Sequence, residues 1–363
     1  MSTNTSLKKN IGFFASLSLV MGSVIGAGVF FKASSVTEVT GSTSMALFVW
    51  LLGGIMTICA GLTGAELAAA IPETGGLTKY IEYTYGDFWG FLSGWAQAFI
   101  YFPANIAALA IIFGTQIINL FHLSTTLLLP IAILSAVSIL LINFLGSKAG
   151  GTLQSITLGI GLVMVVYLLI NATFLMTLPI HQIEGNLNAA SEASSILFGA
   201  GGGKLVTIGI LISVYGTMNG YTMTGMRIPY AMAERNQLPL KRLFLDLLPS
   251  RTPWLGGMIQ IVIAVIMMLL GAFDTITNML IFVIWTFYCM AFLAVFLLRK
   301  REPELHRPYK VPLYPVIPMI ALLAGTFVLL NTLLTQPLLA ITGIGVTMLG
   351  IPIYYYQKKT LKI

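Results

Sequence analysis

The run from Gly22 to Phe30 holds the residue types that could bind a ligand within an apolar segment. It reads Gly22-Ser23-Val24-Ile25-Gly26-Ala27-Gly28-Val29-Phe30, and a further glycine, Gly12, precedes it in the same apolar segment. Glycine has low helix propensity and lets other groups approach the backbone closely. We therefore predict that a helix breaks here, which frees backbone N–H and C=O groups.

Such a break has a definite chemistry. A half-helix that starts near Gly28 presents free N–H groups and a positive dipole end to an anion, and the carbonyls ending the preceding half attract a cation. This geometry suits a zwitterionic amino acid. The alternative is a small-residue face for close helix packing, because Gly22 and Gly26 have GxxxG spacing, and periodicity alone favours neither.

A second polar region lies at 213–221, which reads Ser213-Val214-Tyr215-Gly216-Thr217-Met218-Asn219-Gly220-Tyr221. Polar groups in a membrane usually face the bundle interior, so these residues are candidates to line a ligand site. Hydrogen bonds between helices would explain them equally well.

Glu66 is the carboxylate placed most deeply in a predicted helix. A proton-relay role is conceivable for an acid at this depth, but a local role at the helix end is the simpler interpretation. The three histidines form no metal-ligand spacing, and the two cysteines, Cys59 and Cys289, fit packing as small apolar residues. We expect no metal and no cofactor.

Known motifs of energy-using or hydrolytic enzymes are missing from the sequence. It has no GxxxxGK[ST] run for phosphate binding, no GxSxG and no HExxH. We therefore expect that the protein is not an enzyme.

The amino-acid composition indicates that most of the chain lies in a lipid bilayer. Only 9% of the 363 residues are charged and 57% are apolar, whereas about 25% charged is usual for soluble domains. Since a spanning helix needs roughly 20 apolar residues, the uncharged runs divide into ten predicted crossings. These are 11–33, 43–71, 88–118, 125–145, 152–178, 205–231, 255–273, 277–298, 316–333 and 337–356.

The positive charge sets the predicted orientation. With ten crossings, 16 of the 19 Lys and Arg residues fall on the side that holds both termini, and Lys32 and Lys204 fall opposite. Cytoplasmic loops carry an excess of Lys and Arg, so both termini are predicted to be cytoplasmic. Spread through loops in this way, the net charge of +7 gives no reason to expect a nucleic-acid partner.

These motifs together resemble the amino acid-polyamine-organocation superfamily, closest to bacterial relatives of the L-type amino acid transporters. The run at 22–30 resembles the family's unwound first helix. Four further stretches resemble later elements: Ile71-Pro72-Glu73-Thr74-Gly75-Gly76, Pro103-Ala104-Asn105-Ile106-Ala107, Thr224-Gly225-Met226-Arg227-Ile228-Pro229 and Arg307-Pro308-Tyr309-Lys310-Val311-Pro312.

The resemblance implies a fold and a substrate. It implies an all-α, polytopic transmembrane helix bundle of the inverted-repeat type in the cell membrane, with one permease domain over 1–363. The substrate would be a small neutral amino acid such as alanine, serine or threonine, and the protein would carry it across the bilayer by exchange or by facilitated transport. Its carboxylate would bind the amides of the first helix, at Ser23, Val24, Ile25, Gly26, Ala27 and Gly28.

One departure from the family is large. The family has twelve helices, and here a stretch that resembles the start of its fifth helix is joined near Thr157 to one that resembles the end of its seventh, with two crossings missing between them. The glycine-rich stretch at 192–203 is the only acid-bearing one that could replace the sixth helix, and we predict it to be an outside loop. Two hypotheses follow: an exchanger with an internal deletion, or a transport-incompetent membrane protein. The sequence leaves the oligomeric state open.

Overall fold

The computed structural model describes residues 28–73, 75–145, 164–186, 188–271 and 273–361. Over these ranges the regular secondary structure is helical, as the long apolar runs predict. The helices are α1 (Gly28–Thr40), α2 (Thr43–Ala70), α3 (Leu77–Tyr85), α4 (Asp87–Ala96), α5 (Phe102–Phe121), α6 (Leu128–Phe144), α7 (Met164–Thr177), α8 (Ile180–Ile183), α9 (Ala189–Gly225), α10 (Arg227–Glu234), α11 (Lys241–Phe244), α12 (Trp254–Leu270), α13 (Phe273–Arg301), α14 (Val316–Thr335), α15 (Pro337–Met348) and α16 (Gly350–Leu361).

Seven helical stretches of the described ranges are long and apolar enough to cross a membrane. They confirm a transmembrane helix bundle and agree with seven of the predicted crossings. The shorter apolar helix α12 lies at an eighth. The predicted crossing at 11–33 falls largely outside the described residues, and of the one at 152–178 only the part from residue 164 onward is described, as α7. The count of ten and the cytoplasmic termini therefore stay predictions.

The continuous helix over 87–121 is the centre of the bundle. Of the residues in its 18-residue apolar stretch, 72% are buried, against 17% in the corresponding stretch of α2. Its α5 segment packs against α6, α9, α12 and α13. The helices at the periphery bury little of their surface, as expected where lipid is the neighbour. The central helix is therefore the frame on which the polar side chains of the other helices are positioned.

A π-helical turn at Gln97–Tyr101 joins α4 to α5. The N–H of Phe102 bonds to the carbonyl of Gln97, five residues back, and the next residue, Pro103, has no N–H to donate. Single π turns occur frequently at functional sites. Here the turn displaces the helix register at Tyr101.

The prediction of an outside loop at 192–203 is wrong. These residues are helical on both sides of Gly199, whose non-helical backbone with φ of 73° marks a kink between two helical segments of α9. Side chains of low polarity and many small residues permit a helix here, and glycine accepts the left-handed backbone at the kink without steric cost. Thr207 Oγ1 donates to Ser191 Oγ at 2.9 Å across 16 positions, which would lie about 24 Å apart along one straight helix, so the chain turns sharply at Gly199 and the stretch joins two helical segments.

Candidate functional site

The predicted ligand site lies almost wholly outside the described residues. Ser23, Val24, Ile25, Gly26 and Ala27 are not described, and Gly28 is the first residue of α1. Within α1, Lys32 Nζ lies 2.8 Å from Asp274 Oδ1 and 3.3 Å from Thr277 Oγ1, both on α13. The start of α13 is therefore the neighbour of the segment that follows the predicted helix break.

Three phenol side chains from three helices meet in the described part of the bundle. We call them the tyrosine cluster: Tyr101 at the end of the π turn, Tyr221 on α9 and Tyr288 on α13. The hydroxyls of Tyr221 and Tyr288 are the polar neighbours of the Tyr101 hydroxyl, and the rings of Tyr101 and Tyr221 meet edge to face at 6.0 Å between centroids. Phe102 packs against both of these rings.

The π turn and a buried glutamine position this cluster. Gln260 on α12 is 1% exposed, and its Nε2 donates to the backbone carbonyl of Tyr221 at 3.2 Å. At Gly225, one turn further along α9, a Cβ would lie 2.3 Å from that same Nε2 and 2.7 Å from Phe102. Only glycine lets α9, α12 and the central helix approach this closely.

The chemistry of the cluster is that of neutral polar recognition. Phenol hydroxyls both donate and accept hydrogen bonds, and the rings add apolar area. The described residues contain no group of three or more His, Cys, Asp or Glu that could hold a metal. These groups match a neutral polar partner better than a charged one, and nothing in the cluster resembles a nucleophile with its activating base.

The second predicted region divides between two roles. Tyr215 bonds to Ser138 at 2.8 Å, and Asn219, which is fully buried, accepts from Asn143 Nδ2 at 2.7 Å. Both partners lie on α6, so these residues form hydrogen bonds between helices, which was the alternative to lining a site. Within the region, Tyr221 is the residue that joins the tyrosine cluster.

Glu66 has partners that are distant in sequence. Its Oε1 and Oε2 accept from Arg299 Nε and a terminal nitrogen of Arg299 at 2.8 and 2.6 Å. Oε2 also accepts from the N–H of Val311 at 2.8 Å, and Arg307 Nε lies 3.6 Å from Oε1. We call this group the Glu66 cluster. With these hydrogen bonds, the Glu66 carboxylate links α2 to α13 and to the loop after α13. Few of its lone pairs remain for a proton relay.

Sequence reasoning missed Tyr101, Gln260 and Tyr288 as site candidates. Pro103 was the available signal for Tyr101, because a proline inside an apolar helix disturbs the register just before it. Tyr288 and Gln260 are single polar residues in apolar runs, and only the packing of the helices brings them near Tyr221.

Comparison with known proteins gives a consistent set of relatives. A family model described as amino acid permease matches over residues 11–166 and 156–353. The serine/threonine exchanger SteT of Bacillus subtilis (strain 168) is 37% identical over 430 aligned positions, covering 98% of each chain. The Asc-type amino acid transporter 1 of Mus musculus is 24% identical, covering 98% of this chain and 82% of that protein. The cystine/glutamate transporter of Homo sapiens is also 24% identical, with 96% and 85% covered.

Proposed function

Because the chain belongs to the amino acid permease family, a family of multi-pass membrane transporters, we propose that it exchanges small neutral L-amino acids such as serine, threonine and alanine. The observation that carries this proposal is the 37% identity to a serine/threonine exchanger over nearly the whole of both chains. The more distant relatives include one named for Asc-type transport and one for cystine and glutamate, so the substrate choice depends on the similarity to the exchanger.

The described site supports a neutral substrate. The tyrosine cluster offers hydroxyl groups and apolar ring faces, which suit the side chain of serine, threonine or alanine. We propose that the charged ends of the amino acid bind the backbone at Ser23, Val24, Ile25, Gly26, Ala27 and Gly28, where a helix break would supply free N–H and C=O groups. Backbone groups can hold a zwitterion without any charged side chain.

We further propose that the chain carries an internal deletion near residue 157. Two facts support it. The family model matches in two pieces that both include residues 156–166, and the alignment to the exchanger has 430 positions for a chain of 363 residues, so at least 67 positions have no counterpart here. A deletion there would remove the sixth helix of the family, to which the resemblance assigns the other half of the substrate site.

The test is exchange in proteoliposomes made with the full chain. Vesicles preloaded with serine should take up labelled serine faster than empty vesicles, and a Gly26→Trp variant should lose this uptake because the indole would fill the predicted break. Gly209→Ala is the matched control, since a Cβ there meets nothing within 4 Å and uptake should be unchanged.

The deletion favours a second hypothesis, that the chain no longer transports. No uptake above that of protein-free vesicles, from protein that is monodisperse and thermally stable, would support it. A chimera then separates the two explanations. If inserting the corresponding segment of the Bacillus exchanger near residue 157 restores serine exchange, the inherited function stands and the missing segment explains the loss.

A further inference from the structure

Two cavities of opposite character adjoin at one end of the bundle. The first, which we call the inner groove, is apolar and is lined in part by Phe88, Trp89, Phe282, Ile344, Met348 and Ile351. The second, which we call the cationic pocket, is lined in part by Lys79, Glu82, Asp87, Arg235, Tyr354 and Lys358. Neither belongs to the tyrosine cluster or to the Glu66 cluster.

The two cavities are continuous along two helices. At the start of α4, Asp87 lines the cationic pocket and the next two residues, Phe88 and Trp89, line the inner groove. On α16, Ile351 lines the groove, and Tyr354 and Lys358 line the pocket, one and two turns further on the same face. The ring of Tyr354 contacts that of Phe88 at 5.3 Å between centroids, which closes the junction.

The charges of the cationic pocket leave one lysine uncompensated. Glu82 is neutralised by Lys79 at 3.0 Å and by Arg235 at 2.9 Å. Lys358 is exposed, and no carboxylate within the described ranges makes an ion pair with it, although Asp87 lines the same pocket. Lys79 also pairs with Glu73 at 3.1 Å, so Lys79 and Arg235 are balanced by two glutamates and Lys358 is the lining cation that makes no ion pair within the described ranges. The Nδ2 end of Asn236 remains a donor while Lys241 holds its Oδ1 at 2.6 Å.

This end of the bundle is the one that the distribution of Lys and Arg assigns to the cytoplasm. Trp and Tyr side chains favour the level of lipid head groups, and basic pockets between helices on the cytoplasmic side bind anionic head groups. We propose that the inner groove and the cationic pocket form one binding site for an anionic phospholipid. An acyl chain would lie along Trp89 and Ile351, and the phosphate would bind Lys358.

Trp89 provides a direct measurement, because its indole is 43% exposed and lines the groove. The full chain is reconstituted in phosphatidylcholine vesicles that contain a small, equal fraction of either phosphatidylglycerol or phosphatidylcholine with brominated acyl chains. Bromine quenches tryptophan fluorescence on contact. We expect stronger quenching by the brominated phosphatidylglycerol, and we expect Trp89→Phe to remove the difference between the two lipids.

Two charge variants should shift the preference in opposite directions. Lys358→Gln should weaken the apparent affinity for phosphatidylglycerol about five-fold, the contribution expected of one lysine near an anionic surface, and Asp87→Asn should strengthen it. Lys359→Gln is the matched control, because the neighbouring lysine is equally exposed but does not line the pocket. A variant that merely unfolds would not yield effects of opposite sign.

Three results would overturn the proposal. These are equal quenching by the two brominated lipids, a preference that persists in Trp89→Phe, and equal losses for Lys358→Gln and Lys359→Gln. Millimolar glycerol 3-phosphate serves as a probe of the phosphate alone. If it abolishes the quenching by brominated phosphatidylglycerol, the pocket binds soluble phosphate esters and the lipid assignment is wrong.

Discussion

The two ends of α13 are both tied to the first helices of the chain by an ion pair, but the two pairs differ in kind. At one end Asp274 pairs with Lys32 of α1 through a single 2.8 Å contact, and the carboxylate is 59% exposed. At the other end Arg299 binds Glu66 of α2 through two nitrogens, and the carboxylate is 2% exposed.

The difference lies in how many hydrogen bonds each carboxylate accepts from the protein and how far water can reach it. Glu66 also accepts the N–H of Val311, and the guanidinium of Arg299 stacks on the ring of Tyr314 at 3.9 Å. Asp274 receives Lys32 and a 3.4 Å contact from Ser35, and water can compete for both. A buried, multiply bonded pair holds one arrangement of helices, whereas an exposed pair contributes little and can open. One helix thus has a fixed end and a releasable end.

Glu66→Gln tests the fixed end and should lower the free energy of unfolding more than the other variants. The amide would keep the shape of the side chain but turn an N–H2 group toward Arg299 and leave both arginines without a counter-charge. Loss of one partner from a buried pair costs roughly 3–5 kcal/mol, and since the Arg299 side chain is 22% exposed we expect about 3 kcal/mol. The measurement is thermal unfolding of detergent-solubilised protein.

Glu304→Gln is the control for this variant. Glu304 is exposed in the loop after α13 and makes no ion pair within the ranges that the structure describes, so its unfolding temperature should match that of the parent chain. An equal loss in both glutamine variants would mean that the Glu66 cluster is not what fixes this end.

Arg299→Lys sharpens the comparison by keeping the charge and removing the planar fork. A lysine can approach one carboxylate oxygen but cannot bond to both and stack on Tyr314 as well. The loss of one charge-assisted hydrogen bond should cost about 1.5–3 kcal/mol, measured by the same thermal unfolding. The exposed neighbour supplies the control: Lys300→Arg should be neutral, and a destabilised Lys300→Arg would point to a general sensitivity of the helix end.

The fixed end also shows where prediction from sequence ends. Apolar runs predicted the helices well, for instance 316–333 against an observed Val316–Thr335, because hydrophobic length is a local property. Glu66 and Arg299 are 233 positions apart, and no local pattern indicates which of the many basic residues would reach a given carboxylate. The tyrosine cluster was missed for the same reason.

Two other outcomes have physical explanations of their own. The helical start of α9 was missed because small residues and three consecutive glycines give no apolar signal, although packing can still hold them in a helix. Conversely, Asn219 was singled out correctly as a polar group facing the bundle, yet polarity alone could not separate a hydrogen bond to Asn143 from contact with a ligand.

Between the two ends, α13 packs against α15 without any charge, and Gly343→Ala tests that contact. A Cβ at Gly343 would lie 2.8 Å from Cγ2 of Val283, and a β-branched side chain has little freedom to move aside. Overpacking costs about 1–3 kcal/mol, and the better helix propensity of alanine offsets part of it, so a net loss of about 1–2 kcal/mol is expected in thermal unfolding.

Gly345→Ala is a matched control on the same helix. A Cβ there meets nothing within 4 Å, so alanine should raise stability by up to about 1 kcal/mol. If both variants change stability in the same direction, the contact between α13 and α15 is looser than the 2.8 Å approach implies.

Asp274→Asn tests the releasable end and should have the smallest effect. Exposed pairs contribute about 0.2–1 kcal/mol, and more than half of this carboxylate is open to water, so we expect about 0.5 kcal/mol or less. The loss should be measured at low ionic strength and again at 0.5 M salt, since screening over about 4–5 Å weakens an exposed pair in the parent chain and so removes most of the difference. Glu38→Gln, at an exposed position of α1, controls for the general effect of removing a negative charge from this surface. A salt-independent loss as large as that of Glu66→Gln would mean that both ends of α13 are fixed, and the helix could then not pivot about the end that holds Arg299.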